Sequence, residues 1–233
     1  EMLQGDWSSD VCSSDLGVSI MNNTSSIITI GREYGSGGRQ IGKEIANYFG
    51  IKYYDKELLE HAANDSGICK ELFEHHDEKP TNSFLYSLVM DTYSFGYSSA
   101  GFSDMPMNHK IFLAQFDAIK KLAGEGPCVM VGRCADYALA DCKDCFSVFV
   151  HADFDWRINR IAAKYNKTPK EARDIITKTD KSRASYYNYY TNKKWGSAKS
   201  YNLCIDSSKY GIDNTVKAIV ESIKIFDSTK ASR

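Results

Sequence analysis

The sequence predicts an α/β fold in which a parallel sheet is covered on both faces by helices, and three observations carry that reading. Five short apolar runs are spaced along the chain, helical periods lie between them, and a cluster of glycines joins the first run to the first period. Alternating strands and helices bury a parallel sheet on both sides, which is why its strands read as nearly continuous apolar runs. With 233 residues, 42% of them hydrophobic and 25% charged, the chain has enough apolar surface for a substantial core.

The first strand is expected at residues 26–30 ("SIITI"), followed by the glycine segment from Gly31 to Gly38 and a helix carrying Ile41, Ile45, Tyr48 and Phe49 on one face. The second strand is expected at 51–55 ("IKYYD"). Residues 58–109 mix a short helical start with an aromatic, glycine-rich stretch and read as a loop-rich insertion. Within it, His75 and His76 have no further ligands at helical spacing and read as part of a solvated acidic loop. A helix with Phe112, Phe116, Ile119 and Ala123 inward leads to strands at 128–132 and 146–150. Asp153 opens the next helix, with Ile158, Ile161, Ala162 and Tyr165 on its apolar side and Arg157, Arg160 and Lys164 on a basic side. Thr168, Pro169 and Glu171 then spell a helix start with a capping box. That helix brings Arg173, Asp180, Arg183 and Tyr187 close to one face. Of the aromatic run Tyr186, Tyr187, Tyr189, Tyr190 and Trp195, helical spacing sends half to the core. The last strand is expected at 201–205 ("YNLCI").

Residues 1–20 stand apart. They lack the charged start and apolar centre of a signal peptide, and "DWSSDVCSSDL" reads like a sequencing adapter translated in frame, so a non-native leader with Met21 as the true start is expected. Removing its four acids and no bases moves the formal charge from −1 to +3. That balance suits small anionic ligands and falls well short of a nucleic-acid stripe. Six cysteines remain, at 69, 128, 134, 142, 145 and 204, and read as reduced thiols of a cytoplasmic protein. Cys142 and Cys145 form a C-x-x-C without a second ligand pair, so no metal site is expected. No apolar run approaches the roughly 18 residues that cross a bilayer.

The segment "ITIGREYGSGGRQIGK" (28–43) carries the chemistry. Glycines between a strand and a helix let several backbone N–H groups turn toward an anion, and the helix adds its positive end. Gly35, Ser36 and Gly37 fall as in a phosphate-binding P-loop, but Gly38 stands in the lysine position and Gln40 in the hydroxyl position. Arg39, next along, is a forked donor able to replace the missing cation. A dinucleotide fingerprint fits Gly35, Gly37 and Asp55 but requires glycine where Gln40 stands. Arg133 follows "CVMVG" at the carboxyl end of an expected strand, where open α/β sheets bind ligands.

Together "ITIGREYGSGGRQIG", "GPCVMVGRCADYAL", "FVHADFDWRINRI", "TDKSRASYYNYYT" and "YNLCID" resemble the cytidylate-kinase-like family of P-loop proteins, over about residues 26–226. "VGRCADY" looks like that family's G-R-D segment, and Asp180 with Arg183 is similar to its acceptor-nucleotide motif. The resemblance implies a three-layer nucleoside-monophosphate-kinase fold with a five-stranded parallel sheet in one domain over 21–227. Within it 58–109 would be an acceptor-binding insertion and 155–200 a helical lid, with 228–233 a tail. It further implies ATP as phosphoryl donor with Mg²⁺, a pyrimidine nucleoside monophosphate (CMP or dCMP) as acceptor, and a monomer or homodimer with no nucleic-acid or membrane partner. Gly35, Ser36, Gly37, Gly38, Arg39 and Gln40 would hold the donor phosphates. Asp55, Arg133, Asp180 and Arg183 would hold the acceptor, with Arg39, Arg157, Arg160 and Asp180 as the catalytic set. A non-catalytic nucleotide-binding module of the same fold and a small-metabolite kinase are the alternatives, because the loop lacks its lysine and hydroxyl.

Overall fold

The computed structural model describes residues 23–55 and 107–230. Strands β1 (Ile27–Arg32), β2 (Lys52–Tyr54), β3 (Cys128–Val131), β4 (Cys145–His151) and β5 (Leu203–Asp206) form one sheet in the order β2-β3-β1-β4-β5. Every pairing is parallel, with Ile28 of the central β1 opposite Val129 on one side and Phe146 on the other. Each of the five predicted runs forms one strand, its ends shifted by a residue or two.

Six α-helices and a single 3-10 turn (Ala198–Ser200) complete the described chain: α1 (Gly38–Phe49), α2 (Met107–Gly124), α3 (Ala135–Ala138), α4 (Phe154–Tyr165), α5 (Pro169–Thr191) and α6 (Ser207–Lys230), the last broken at Gly211. Because side chains alternate along a strand, the sheet has two apolar faces. Ile28, Ile30, Val148 and Val150 pack on Ile41 and Ile45 of α1 and on Ile219 and Ile223 of α6. On the opposite face Ile27 and Met130 meet Ile119 and Leu122 of α2, while Phe149 meets Tyr187 and Tyr190 of α5. The result is the expected three-layer arrangement. Tyr186, Tyr187 and Tyr190 are buried, and the Phe112 and Tyr190 rings stack at 4.1 Å, so most of the aromatic run serves the core.

Helices α4 and α5 form a hairpin with its own small core of Ile158, Ile161, Ala172 and Ile176, and Tyr34 from the glycine segment packs against it. Asp153 caps α4 by accepting from the Trp156 N–H at 3.0 Å. The capping box of Thr168 and Glu171 starts α5 as predicted. One expectation fails: Arg157 does not belong to a solvated basic side. It is 6% exposed, because two acids distant in sequence enclose it, whereas Tyr165, assigned to the apolar side, is 49% exposed.

The five cysteines among the described residues are free, and burial pushes the Cys128 and Cys145 thiols up to about 12. Among the described residues no helix is long and apolar enough to cross a membrane, and no group of histidine, cysteine and carboxylate side chains is placed to hold a metal. The 58–109 insertion, with His75 and His76, falls mainly outside the described residues, as do the leader and Cys69.

Candidate active site

The carboxyl ends of β1, β2 and β3 open into a cleft of about 810 Å³. Its floor is the glycine segment. Gly35 and Gly37 both take φ of +86°, a region that L side chains rarely occupy. Those two turns bring the chain into α1 with Gly37 as its cap. The first intrahelical hydrogen bond runs from the Ile41 N–H to the Gly37 carbonyl at 2.9 Å, so the N–H groups of Gly38, Arg39 and Gln40 lie ahead of the helical ladder, at the positive end of the helix. Ser36 is fully buried; its hydroxyl donates to the Glu33 carbonyl at 2.9 Å, and its own carbonyl accepts from the Ser207 hydroxyl at 2.6 Å. Ser36 therefore anchors the loop through both its side chain and its backbone.

The charge of the cleft is lopsided. Arg32, Arg39, Lys43, Arg133, Arg160, Lys164 and Arg183 line it, against the carboxylates of Glu33 and Asp55. Both acids are engaged: Glu33 accepts from the Ala152 N–H at 3.1 Å and lies 3.4 Å from Arg157 Nε, and Asp55 pairs with Arg39 Nε. The cleft thus presents net positive charge beside N–H groups that have no intrahelical partner, a combination that suits anions.

The candidate residues fall into three groups. Gly35, Gly37, Gly38, Gln40, Arg133, Arg160 and Arg183 line the cleft, and Arg160 Nη2 donates to Gln40 Oε1 at 2.8 Å, tying α4 to the loop. Arg39 also borders the cleft, but its guanidinium is turned to Asp55, a carboxylate 6% exposed at the end of β2. The Tyr53 hydroxyl beside them is pushed up to about 12, by burial first and by the Asp55 charge second. The third group, Arg157 and Asp180, face one another: Arg157 Nη1 donates to Asp180 Oδ2 at 2.5 Å and to the Tyr34 carbonyl at 3.2 Å, and Asp180 Oδ1 accepts from the Tyr34 N–H at 2.7 Å. That network shapes the entry to the glycine loop from above.

A second, small cavity of about 30 Å³ lies against the cleft and shares Arg32, Arg133 and Arg183 with it. Gly132, Arg133 and Cys134 all have positive φ, of 82°, 59° and 54°, so the turn after β3 holds two non-glycine residues in a sparsely populated conformation. Arg133 lines the small cavity together with Arg183, whose Nη1 donates to the Arg32 carbonyl at 3.3 Å and whose guanidinium carbon stands 5.5 Å from the Tyr34 ring centroid. Asp136 closes the small cavity; burial raises its carboxyl pKa, and the Tyr187 hydroxyl donates to it at 2.6 Å. Sequence reasoning missed Arg32, Lys43 and Lys164 as cleft residues. Lys43 and Lys164 were within reach of it, since each lies on a helix one turn from a chosen residue, whereas Arg32 closes a strand and carries no periodic signal.

Residues 27–209 match the family model described as cytidylate kinase-like family. Among solved structures, an uncharacterized protein from Eubacterium ventriosum ATCC 27560 superposes with a TM-score of 0.64 at 29% identity, over 85% of this chain and 98% of that one. A shikimate kinase from Bacteroides thetaiotaomicron gives a TM-score of 0.48 at 15% identity over 85% and 98% of the two chains. A gluconokinase from Sinorhizobium meliloti 1021 gives 0.49 at 12% over 90% and 97%. No curated protein matches the sequence.

Proposed function

The chain belongs to the cytidylate kinase-like family, and from that premise and the geometry of the cleft we propose that it is a nucleotide-dependent phosphotransferase moving a phosphoryl group from ATP to a pyrimidine nucleoside monophosphate, CMP or dCMP first. The observation that carries the proposal is the pairing of a glycine loop ending in free helix N–H positions with a wall of arginines at the ends of β1 and β3. Phosphoryl transfer asks for positioning and charge neutralisation more than for covalent work by the protein. In this reading the N–H groups of Gly38 to Gln40 and the Arg160 guanidinium hold the donor phosphates. Arg133 and Arg183 hold the acceptor phosphate. Arg39 and Asp55 border the acceptor entrance, and Arg157 with Asp180 holds the loop in shape. Both cleft carboxylates are already engaged, so Mg²⁺ would be held by donor oxygens and water; when bound, it supplies charge neutralisation at the outer phosphates. The protein would act in the cytoplasm as a monomer or homodimer.

A coupled ATP assay across nucleoside monophosphates, on protein starting at Met21, tests the proposal. CDP formation from CMP is expected, and Arg183→Ala abolishes it. Absence of turnover with every nucleoside monophosphate sinks the proposal. One observation supports a second reading, a binding module without turnover: Gly38 offers no side chain and the Gln40 amide oxygen is taken by Arg160. That reading expects ATP to raise the melting temperature by mass action while no ADP forms.

A further inference from the structure

A phosphate-binding loop carries its lysine directly after the last loop glycine and opens on a glycine six places before that lysine. In this chain those two positions are 38 and 32, and they hold Gly38 and Arg32. The cation and the glycine are exchanged, and the structure gives the reason they exchange together. A Cβ built on Gly38 would lie 2.5 Å from Cβ and 3.0 Å from Cγ of Arg32, well inside the 3.5–4.0 Å at which carbon atoms pack. Side chains at 32 and 38 compete for one volume, so a long residue reaches into it from one position only.

From that volume the Arg32 side chain crosses to the end of β3, where a Cβ on Gly132 would overlap its guanidinium. Gly132 is thus the seat of the Arg32 fork. The fork stands where the large cleft meets the small cavity, since both are lined by Arg32, Arg133 and Arg183. Its position lies between the loop on one side and the arginines at the end of β3 and on α5 on the other.

We propose that Arg32 supplies the cation this loop lacks, contacting the phosphoryl group in transit from the face opposite Arg160. The proposal rests on the phosphotransferase reading and replaces Arg39, which Asp55 engages, as the lysine substitute. In the transfer, the bond from the γ-phosphorus to the bridging oxygen of the donor breaks, the electron pair leaves with that oxygen, and a phosphate oxygen of the acceptor forms the new bond. Arg32 takes no proton; its two parallel N–H donors neutralise the equatorial oxygens.

The test uses the full protein from Met21, with inorganic tripolyphosphate binding by calorimetry, ADP formation with the nucleoside monophosphate panel, and thermal melts. The variants are Arg32→Met, Arg32→Lys, Gly38→Lys and the exchange Arg32→Gly/Gly38→Lys. Loss of one charge-assisted contact is expected to weaken tripolyphosphate binding by about tenfold or more in Arg32→Met, with partial recovery in Arg32→Lys. Gly38→Lys alone lowers the melting temperature because two side chains then claim one volume, and the exchange variant restores both melting temperature and binding. Wild-type binding by a folded Arg32→Met overturns the proposal, as does a Gly38→Lys protein that melts with the wild type. If Arg32→Met fails to fold, the exchange variant decides: failure to bind tripolyphosphate when folded, or a melt no better than that of Gly38→Lys, overturns it. Weakened binding by Arg32→Met together with no turnover by the wild type upholds the Arg32 contact and removes the kinase reading. Equal turnover and equal binding by both do the reverse.

Discussion

Replacing Asp180 by alanine tests whether the contact between the α4–α5 hairpin and the glycine loop is structural. The carboxylate meets Arg157 at 2.5 Å and the Tyr34 N–H at 2.7 Å, and the side chains of Arg157 and Asp180 are only 7% and 17% exposed. Truncation leaves a buried guanidinium with the Tyr34 carbonyl at 3.2 Å and Glu33 at 3.4 Å as partners. Breaking a buried pair from one side costs about 3–5 kcal/mol. Glu33 compensates in part, so about 3 kcal/mol is expected. For a domain of this size each kcal/mol moves the melting temperature by about 2–4 °C, which gives a fall of about 6–12 °C. Urea titration and thermal melts of Asp180→Ala, beside the double replacement Arg157→Met/Asp180→Leu, make the measurement. Removing both charges and filling the space leaves a smaller deficit than Asp180→Ala, because the buried guanidinium is gone, although Glu33 loses its cation and the Tyr34 N–H and carbonyl lose these partners. An Asp180→Ala protein within about 0.5 kcal/mol of wild type refutes the reasoning and returns Asp180 to a purely ligand-facing role.

Two further outcomes follow from the same geometry. Asp227 joins the end of α6 to the start of β1 by accepting from the Thr24 and Ser26 hydroxyls at 2.6 Å each and pairing with Lys230 at 3.0 Å. Burial opposes its charge, but those partners prevail and hold its carboxyl below the ordinary 3.8. A carboxylate with a depressed folded pKa stabilises fully above its unfolded value and loses that contribution as pH falls through the folded one. Asp227→Ala therefore costs about 2 kcal/mol at neutral pH, and in urea titrations the gap to wild type closes below pH 3.8; a pH-independent gap contradicts the assignment. Gly37→Ala forces a Cβ onto Ile212 at a φ of +86°, costing about 2 kcal/mol in strain alone; thermal denaturation reads it, and an unchanged melting temperature contradicts the loop geometry.

The sheet was legible in the sequence because its strands are covered on both faces, so each appears as an apolar run whatever its neighbours. The start of α5 was legible because Thr168, Pro169 and Glu171 act within one turn. The turn from β1 into α1 was legible because glycine, strand and helix are contiguous there. The fate of individual arginines was not. Arg157 falls on a basic stripe by periodicity, and only the fold brings Glu33 and Asp180 around it. Arg39 stands one place from the lysine position, yet Asp55, sixteen residues on in sequence and buried at the end of β2, captures it. Arg32 gave no signal, since the course of its side chain depends on the space left by Gly38 and by Gly132, the latter a hundred residues away.

The two α4 arginines show how one turn of helix divides support from chemistry. Arg157 and Arg160 are separated by three residues and so project from neighbouring points of the helix surface. Arg157 points into the joint with the loop, where Asp180 and Glu33 hold it at 6% exposure. Arg160 reaches over the cleft to Gln40, through a hydrogen bond exposed to solvent. A buried charge network is costly to rearrange, whereas an exposed guanidinium–amide contact exchanges readily for a phosphate oxygen, a stronger acceptor because it is charged. Under the proposed phosphotransferase reading, a polyphosphate entering the loop displaces Gln40 from Arg160 and leaves Arg157 in place. In that reading the glycine loop keeps its shape through Arg157 and Asp180 while Arg160 changes partner, so binding needs no remodelling of the hairpin.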